Sequence, residues 1–412
     1  MARLFLTPSR IVSGQGALDD SLDILRGLGT KAFVVTDPMM VKLGNCKTVT
    51  DALERAGLGF EVFDQITGEP SDIMIEAGIA AFKVSGCDMY VGLGGGSPID
   101  AMKAIAMMAA CDGDIDEQMG VALDFDRPPL VAIPTTAGTG SEATQFTIIN
   151  NTRQGIKMLL AGAKVLPDVA IVDPQFTCTA PASVTANTGV DALCHALESA
   201  TSKKMQPMSY TFSISAIKRI LAHLHTCYTE PENVEARTQM AIAATEAGVA
   251  FNNASVTIIH GMSRPIGALF HVPHGLSNAM IMLECLRYVV DGAYPEFAAV
   301  AREVGASVAT DDKVAANELL DVIAKLLRKL NIPTLASYGI DVDEFRAQIP
   351  KMAKDAIDSG SPANTIKPLT AADLETIYER LISAKHSFDI TLTVPPFSRA
   401  PACDDCCKRA HC

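Results

Sequence analysis

Up to Thr177 the apolar positions fall in short runs, separated by stretches in which apolar residues recur at the helical period. Leu4 to Val12 reads as an extended edge segment broken by Pro8, and Leu18, Leu22 and Leu25 share one face of a helix ending near Gly27 and Gly29. KAFVVTD is a strand ending on Asp37, Val49 to Ala56 a helix, FEVFDQI a second strand, and Ser71 to Val84 a longer helix. DMYVGLGGGSPID reads as strand, glycine turn and helix start, with Ser97 as N-cap, Pro98 at the first helical position and Asp100 as the capping-box acceptor. Leu130 to Ile133 is the next strand, QFTIIN and IKMLL make a hairpin around Asn150 to Gly155, and LPDVAIVD is the last strand. This alternation predicts an α/β domain, a Rossmann-like parallel sheet with helices on its faces.

From Ala180 the pattern changes. SYTFSISAIKRILAHL, VEARTQMAIAATEAGVAF, VAANELLDVIAKLLRKL and AADLETIYERLI all carry a 3.6-residue period with almost no strand signal between them, so the second domain is expected to be all-α. The expected division is residues 1–177 for the α/β domain, 178–386 for the helical domain and 387–412 for a Pro- and Cys-rich tail. A chain of 412 residues is too long for one compact core, which agrees with two domains.

Composition narrows the partners. A net charge of −13 leaves no excess of Lys and Arg to displace counterions, so nucleic acid is not expected. Apolar runs such as AIAMMAA are too short to span a bilayer, and Pro8 interrupts any signal-peptide core, so a cytoplasmic protein without a membrane partner is expected. Of eleven cysteines, seven are scattered singly, and with an odd total they read as reduced thiols. The other four, Cys403, Cys406, Cys407 and Cys412, stand with His411 in the last ten residues. That is little chain to wrap a structural zinc ion, so a mobile tail is expected.

Two loops carry candidate nucleotide chemistry. Gly94, Gly95 and Gly96 leave bare backbone at a helix N-terminus where a pyrophosphate can approach, although the spacing is not GxGxxG. Thr135, Thr136, Thr139 and Ser141 can donate to phosphate or ribose oxygens. Two such loops, each after a strand, suggest a dinucleotide lying across the strand ends. Asp37, just after an early strand, can accept from an adenosine 2′-OH and repel a 2′-phosphate, favouring NAD over NADP. Lys157 can neutralise pyrophosphate charge. The plain alternatives are a glycine turn, a loop Asp and a solvated strand Lys.

The stretch from Gly248 to Met282 holds three of the eight histidines, His260, His271 and His274, among small and apolar residues. Upstream, DALCHALE places Asp191 and His195 four apart, on one helix face. Pro265, Gly267 and Pro273 argue against one continuous helix carrying both His260 and His274. Three imidazoles and a carboxylate suit Fe(II) or Zn(II) with room for a substrate oxygen. On spacing His271 is also a candidate ligand, and the plain alternative is core histidines, the role assigned to His223 and His225.

Taken together and in order, GGGSPIDAMK, PTTAGTGSEAT, GVDALCHALE and HGMSRPIGALFHVPHGLSNA resemble the iron-containing (group III) alcohol dehydrogenases, over roughly residues 3 to 385. The resemblance implies a dehydroquinate synthase-like architecture with a metal in the cleft between the two domains. Its ligand pattern falls on Asp191, His195, His260 and His274 and leaves out His271. Its cofactor pattern falls on Asp37, Gly95, Gly96, Ser97, Thr135, Thr136, Thr139 and Lys157. It implies hydride transfer between NAD(H) and a small alcohol, hydroxy acid or aldehyde, with iron first and zinc second as the metal that polarises the substrate oxygen. A homodimer or larger assembly follows from the same resemblance and the edge-like N-terminal segment.

Many members carry a histidine four residues after the first loop ligand, where this chain has Arg264, which stays charged. His271 or water is then the expected proton acceptor. Arg264 is expected to pair with a substrate carboxylate, a protein carboxylate or the cofactor. Three rivals stand beside the dehydrogenase: a hydroxyacid-oxoacid transhydrogenase, a dehydroquinate synthase-like lyase and a non-catalytic binding protein. The Asp191/His195 pair with the HGMSRP and PHG segments favours the dehydrogenase.

Overall fold

The computed structural model describes residues 2–111, 113–121 and 125–383; the Cys-rich tail, with Cys403, Cys406, Cys407, His411 and Cys412, lies outside them. Six strands, β1 (Arg10–Ser13), β2 (Lys31–Val35), β3 (Gly59–Phe63), β4 (Met89–Gly94), β5 (Leu130–Pro134) and β8 (Val169–Val172), form one sheet in the order β1-β8-β5-β4-β2-β3. Every pairing in it is parallel. The inner strands β4, β5 and β8 are buried along their whole length, as continuous apolar runs covered on both faces should be. The predicted hairpin forms from β6 (Phe146–Asn151) and β7 (Ile156–Ala161), outside the main sheet.

The longer helices are α1 (Asn45–Arg55), α2 (Asp72–Ser85), α3 (Gly96–Ala110), α4 (Ala182–Ala200), α5 (Pro207–Thr229), α6 (Val234–Ala254), α7 (Ile258–Phe270), α8 (His274–Val289), α9 (Tyr294–Glu303), α10 (Asp312–Lys329), α11 (Val342–Asp358) and α12 (Ala371–Ser383). After β8 no further strand occurs among the described residues, so the C-terminal part is helical as expected. None of these helices is long and apolar enough to cross a membrane. None of the seven scattered cysteines forms a disulfide among the described residues.

The sheet order fixes where a ligand can sit. From β2 the chain runs outward to β3, whereas from β4 it runs the other way to β5 and then β8. The switch point therefore lies between the neighbours β2 and β4, and a crevice opens beyond their carboxyl ends. Asp37 follows β2 there, and the glycine turn follows β4. Thr36 ties the two ends together by donating from Oγ1 to the Leu93 carbonyl at 2.8 Å.

Three local expectations need correction. The helix expected around Leu18 to Leu25 is two short pieces, Ala17–Asp20 and Leu22–Arg26, broken at Ser21, whose hydroxyl turns back to the Ala17 carbonyl at 2.6 Å. Ser97 is not the N-cap of α3. The cap is Gly95, with no side-chain cap bond, because Gly94 at φ 150 turns the chain one step earlier. A Cβ on Gly94 would lie 2.5 Å from Pro98 Cγ, so the proline folds back over it. Asp100 forms no capping box: one oxygen accepts from the Ser141 hydroxyl and the other from the Ile148 N–H at 3.0 Å. As expected, no single helix carries both His260 and His274, although Pro265 itself lies inside a helix. α7 runs through it and stops at His271, which adopts the left-handed conformation at φ 54.

Candidate active site

Asp191 and His195 project from one face of α4, His260 lies in the first turn of α7, and His274 opens α8 directly after Pro273. Four ligand atoms, one from each, lie within 4.8 Å of one another. The Asp191 Oδ1 is 3.6 Å from His260 Nε2 and 3.8 Å from His274 Nε2. Tetrahedral ligands on bonds of about 2.1 Å sit about 3.4 Å apart, so a first-row divalent ion would need only a small contraction. Asp191, His195 and His260 are buried, whereas the His274 side chain is 42% exposed and marks the open side. His195 stacks on Phe251 at 4.2 Å between ring centres and on His260 at 4.5 Å, which fixes its ring.

Two features mark this cluster as built for a cation. The amide nitrogen of Asn278 lies 2.6 Å from Asp191 Oδ1, 3.2 Å from His260 Nε2 and 3.3 Å from His274 Nε2, so it sits at the focus of three of the four side chains. The buried Asn278 Oδ1 and His195 Nδ1 have no hydrogen-bond partner. Unsatisfied buried polar atoms are costly, and here they belong to a cluster residue and to the amide that contacts the cluster.

The electrostatics divide the imidazoles. Burial alone would raise the Asp191 carboxyl, but His195 and His274 and a hydrogen bond from His260 hold it well below the usual carboxylate range. Burial pushes His195 down to about 3 and His274 to about 4, so both present neutral nitrogens. His260 goes the other way, to about 9: burial opposes its charge, but Glu198 and Asp191 outweigh it. Glu198, also buried, accepts from His260 Nδ1 on Oε2, while its Oε1 takes the Thr257 N–H at 3.0 Å, the Thr257 hydroxyl at 2.7 Å and the Ile259 N–H at 2.7 Å. Sequence reasoning missed Glu198 and Asn278. Both were within reach: Glu198 lies on the same helix as Asp191 and His195, and Asn278 is one turn after His274.

On the other side of the crevice the two candidate loops meet. The loop from Thr135 to Thr139 packs on the glycine turn, with a Cβ on Gly96 3.1 Å from Thr139 Cγ2 and one on Gly95 3.5 Å from Thr136 Oγ1. The Gly96 and Ser97 N–H groups head α3, the position from which free helix donors face an anion. Asp37 caps the short helix Pro38–Lys42 by accepting from Met40 N–H at 2.9 Å. Lys157 pairs with Glu69 at 2.7 Å, and since His274 acts on Glu69 and is acted on by Lys157, this pair lies within electrostatic reach of the histidine cluster.

Asp100 and Ser141 are spent on each other. Ser141 also accepts from Lys103 Nζ at 3.1 Å, and the fully buried Lys103 further donates to the Thr144 carbonyl and hydroxyl and the Phe146 carbonyl. These residues shape the loop from within, and Lys103 is a third residue that sequence reasoning missed. The loop is also locked to the helical domain. At Gly140, φ 62, a Cβ would lie 2.5 Å from Gly248 Cα, and Glu142 accepts from Thr245 Oγ1 at 2.6 Å.

Arg264 sits one turn after His260 on α7, half-buried, and donates to Ser361 Oγ at 3.0 Å. No protein carboxylate pairs with it among the described residues. His271 caps α7 from an exposed position and does not join the four-residue cluster.

Residues 8–174 match the sequence model described as iron-containing alcohol dehydrogenase, and residues 185–382 match that of the Fe-containing alcohol dehydrogenase family, C-terminal. The NAD-dependent methanol dehydrogenase of Bacillus methanolicus is 32% identical over 387 residues, covering 93% of this chain and 100% of the relative. The 1,3-propanediol dehydrogenase of Citrobacter freundii is 35% identical over 338 residues, covering 81% and 86%. The crystal structure of a 1,3-propanediol oxidoreductase superposes with a TM-score of 0.88 at 31% identity, covering 92% of this chain and 100% of that one.

Proposed function

Since the chain belongs to the iron-containing alcohol dehydrogenase family, and is an oxidoreductase that interconverts alcohols and aldehydes with NAD(H), we propose that Asp191, His195, His260 and His274 hold its metal. The observation that carries this reading is the convergence of their four ligand atoms around the Asn278 amide. A divalent ion held there, iron first and zinc second, supplies Lewis acidity to the substrate oxygen.

The chain's own residues do the rest. Glu198 fixes the tautomer of His260, with Nδ1 as the donor and Nε2 turned to the cluster. Gly94, Gly95, Gly96 and Ser97 admit the pyrophosphate at the head of α3, and Thr135, Thr136 and Thr139 line it from the neighbouring loop. Asp37 keeps one carboxylate oxygen for the adenosine ribose after capping its helix. Asp100, Ser141 and Lys103 hold the loops in register. Lys157, paired with Glu69, borders the nicotinamide side of the crevice, and Arg264 faces the substrate. His271, exposed at the end of α7, is the nearest side chain in sequence to the ligands with a proton-accepting nitrogen, and it passes the substrate proton towards solvent.

We take Thr177, between β8 and α4, as the domain boundary. The outer edge of β1 in the sheet supports a homodimer or larger assembly, and seven cysteines without a disulfide fit a reducing cytoplasmic compartment. The test is turnover: anaerobically purified enzyme should oxidise NADH with short aldehydes and reduce NAD with short alcohols and diols. Metal-bound protein without nicotinamide turnover would refute the reading.

A further inference from the structure

The side chain of Arg264 projects from the same face of α7 as His260, one helical turn away. It is held in place. A Cβ on Gly261 would lie 2.6 Å from Pro362 Cγ, so α7 packs tightly on the turn Pro362–Asn364, and Asn364 anchors that turn by donating to the Val256 carbonyl at 3.0 Å. Ser361, at the start of the turn, takes the one hydrogen bond that the guanidinium makes among the described residues. The remaining N–H groups of the fork are uncommitted.

No ion pair holds the charge of Arg264 among the described residues, although Glu198 acts on it without such a contact. Both Arg264 and Lys157 act on His274, yet Lys157 is matched by Glu69 at 2.7 Å, whereas no carboxylate of the described residues pairs with Arg264. The nearby acids are already employed: Asp191 faces the imidazoles, and Glu198 is saturated by His260, Thr257 and Ile259. With a divalent ion in the cluster these two carboxylates are neutralised, and the guanidinium is left as an unbalanced cation beside the reacting centre. A half-buried, positioned fork without an anion is a recognition group waiting for one.

We infer that Arg264 binds an oxyanion on the substrate, so that the enzyme's substrates are aldehydes, and the corresponding alcohols, that carry a carboxylate or sulfonate at the end remote from the reacting carbon. This rests on the metal centre proposed above.

The test uses the metal-loaded enzyme and NADH with butanal, 4-oxobutanoate and 2-oxoethanesulfonate, for wild type, Arg264→Gln and Arg264→Lys. The wild type should favour an anionic aldehyde over butanal in kcat/KM, and the better of the two names the oxyanion. Arg264→Gln should lower that preference by about 10- to 100-fold, mainly through KM, the range expected for loss of a charge-assisted hydrogen bond. Arg264→Lys should recover part of it. A preference for butanal in the wild type, or the same preference in wild type and Arg264→Gln, overturns the inference. Should none of the three turn over, the proposed function fails, and calorimetric binding of succinate to the enzyme with NADH decides this inference separately. Binding that Arg264→Gln weakens supports it, whereas equal or absent binding overturns it.

Discussion

Glu198 holds His260 by its Nδ1 and so turns Nε2 toward Asp191, 3.6 Å away. The carboxylate is itself fixed by three donors from Thr257 and Ile259, the residues that lead into α7. The imidazole is thus oriented before any ion arrives. Glu198→Gln should therefore weaken the affinity for Zn(II) or Fe(II) by about 10- to 100-fold, as loss of such a partner does elsewhere. Chelator competition on the purified variant, with circular dichroism to confirm folding, measures this.

The same contact sets a pH dependence. In the metal-free protein His260 keeps its proton up to about 9, while His195 and His274, at about 3 and about 4, are already neutral. Metal uptake near neutral pH must then displace the His260 proton, so the apparent affinity should fall about tenfold for each pH unit below about 9. The raised value also means that the pair stabilises the metal-free fold fully below the ordinary histidine value of 6.5, and that this contribution is lost as pH rises through about 9. Metal titrations and thermal melts across that window report the two slopes.

Gly140 and Gly248 bring the cofactor loop onto α6 backbone to backbone; a Cβ on Gly248 would lie 2.8 Å from the Gly140 carbonyl oxygen. Gly248→Ala should cost about 1–3 kcal/mol by overpacking and raise the KM for NAD, because the strain falls on the loop that lines the crevice. Denaturant unfolding and NAD kinetics test the two effects together.

Asp37 caps its helix, and we propose that it also reads the adenosine ribose. Its loss as a helix cap should cost about 1 kcal/mol, and removal of its charge should relax the choice of cofactor. Asp37→Ser keeps a capping group, so it should retain stability while raising kcat/KM for NADP relative to NAD; an unchanged ratio would show that Asp37 does not read the ribose.

Much of this was legible in the chain. The buried runs MYVGLG, LVAIP and VAIV announce inner parallel strands because both of their faces are covered, and the spacing of Asp191 and His195 needs only a helix to become a half-site. What was hidden depends on contacts distant in sequence. Ser97 has the composition of an N-cap, but Gly94 and Pro98 shift the helix start by their own packing. The break between His260 and His274 was legible from the Pro and Gly positions, but its place was not, since α7 runs through Pro265 and closes at His271. Asp100 is drawn from its own helix by Ser141 and Ile148, forty or more residues on, which local patterning cannot show. Spacing alone left both His271 and His274 open, the family resemblance pointed to His274, and the fold puts His274 in the cluster and leaves His271 outside it.

If Asp191, His195, His260 and His274 hold a metal, turnover depends on it. NADH oxidation with a short aldehyde, by enzyme purified anaerobically, stripped with a chelator and reloaded, with metal content measured at each stage, tests this. One divalent ion per chain, loss of activity on stripping, recovery with Fe(II) or Zn(II), and no metal retained by Asp191→Ala are expected. Full activity in the metal-free enzyme would rule out a metal-dependent reaction at these residues.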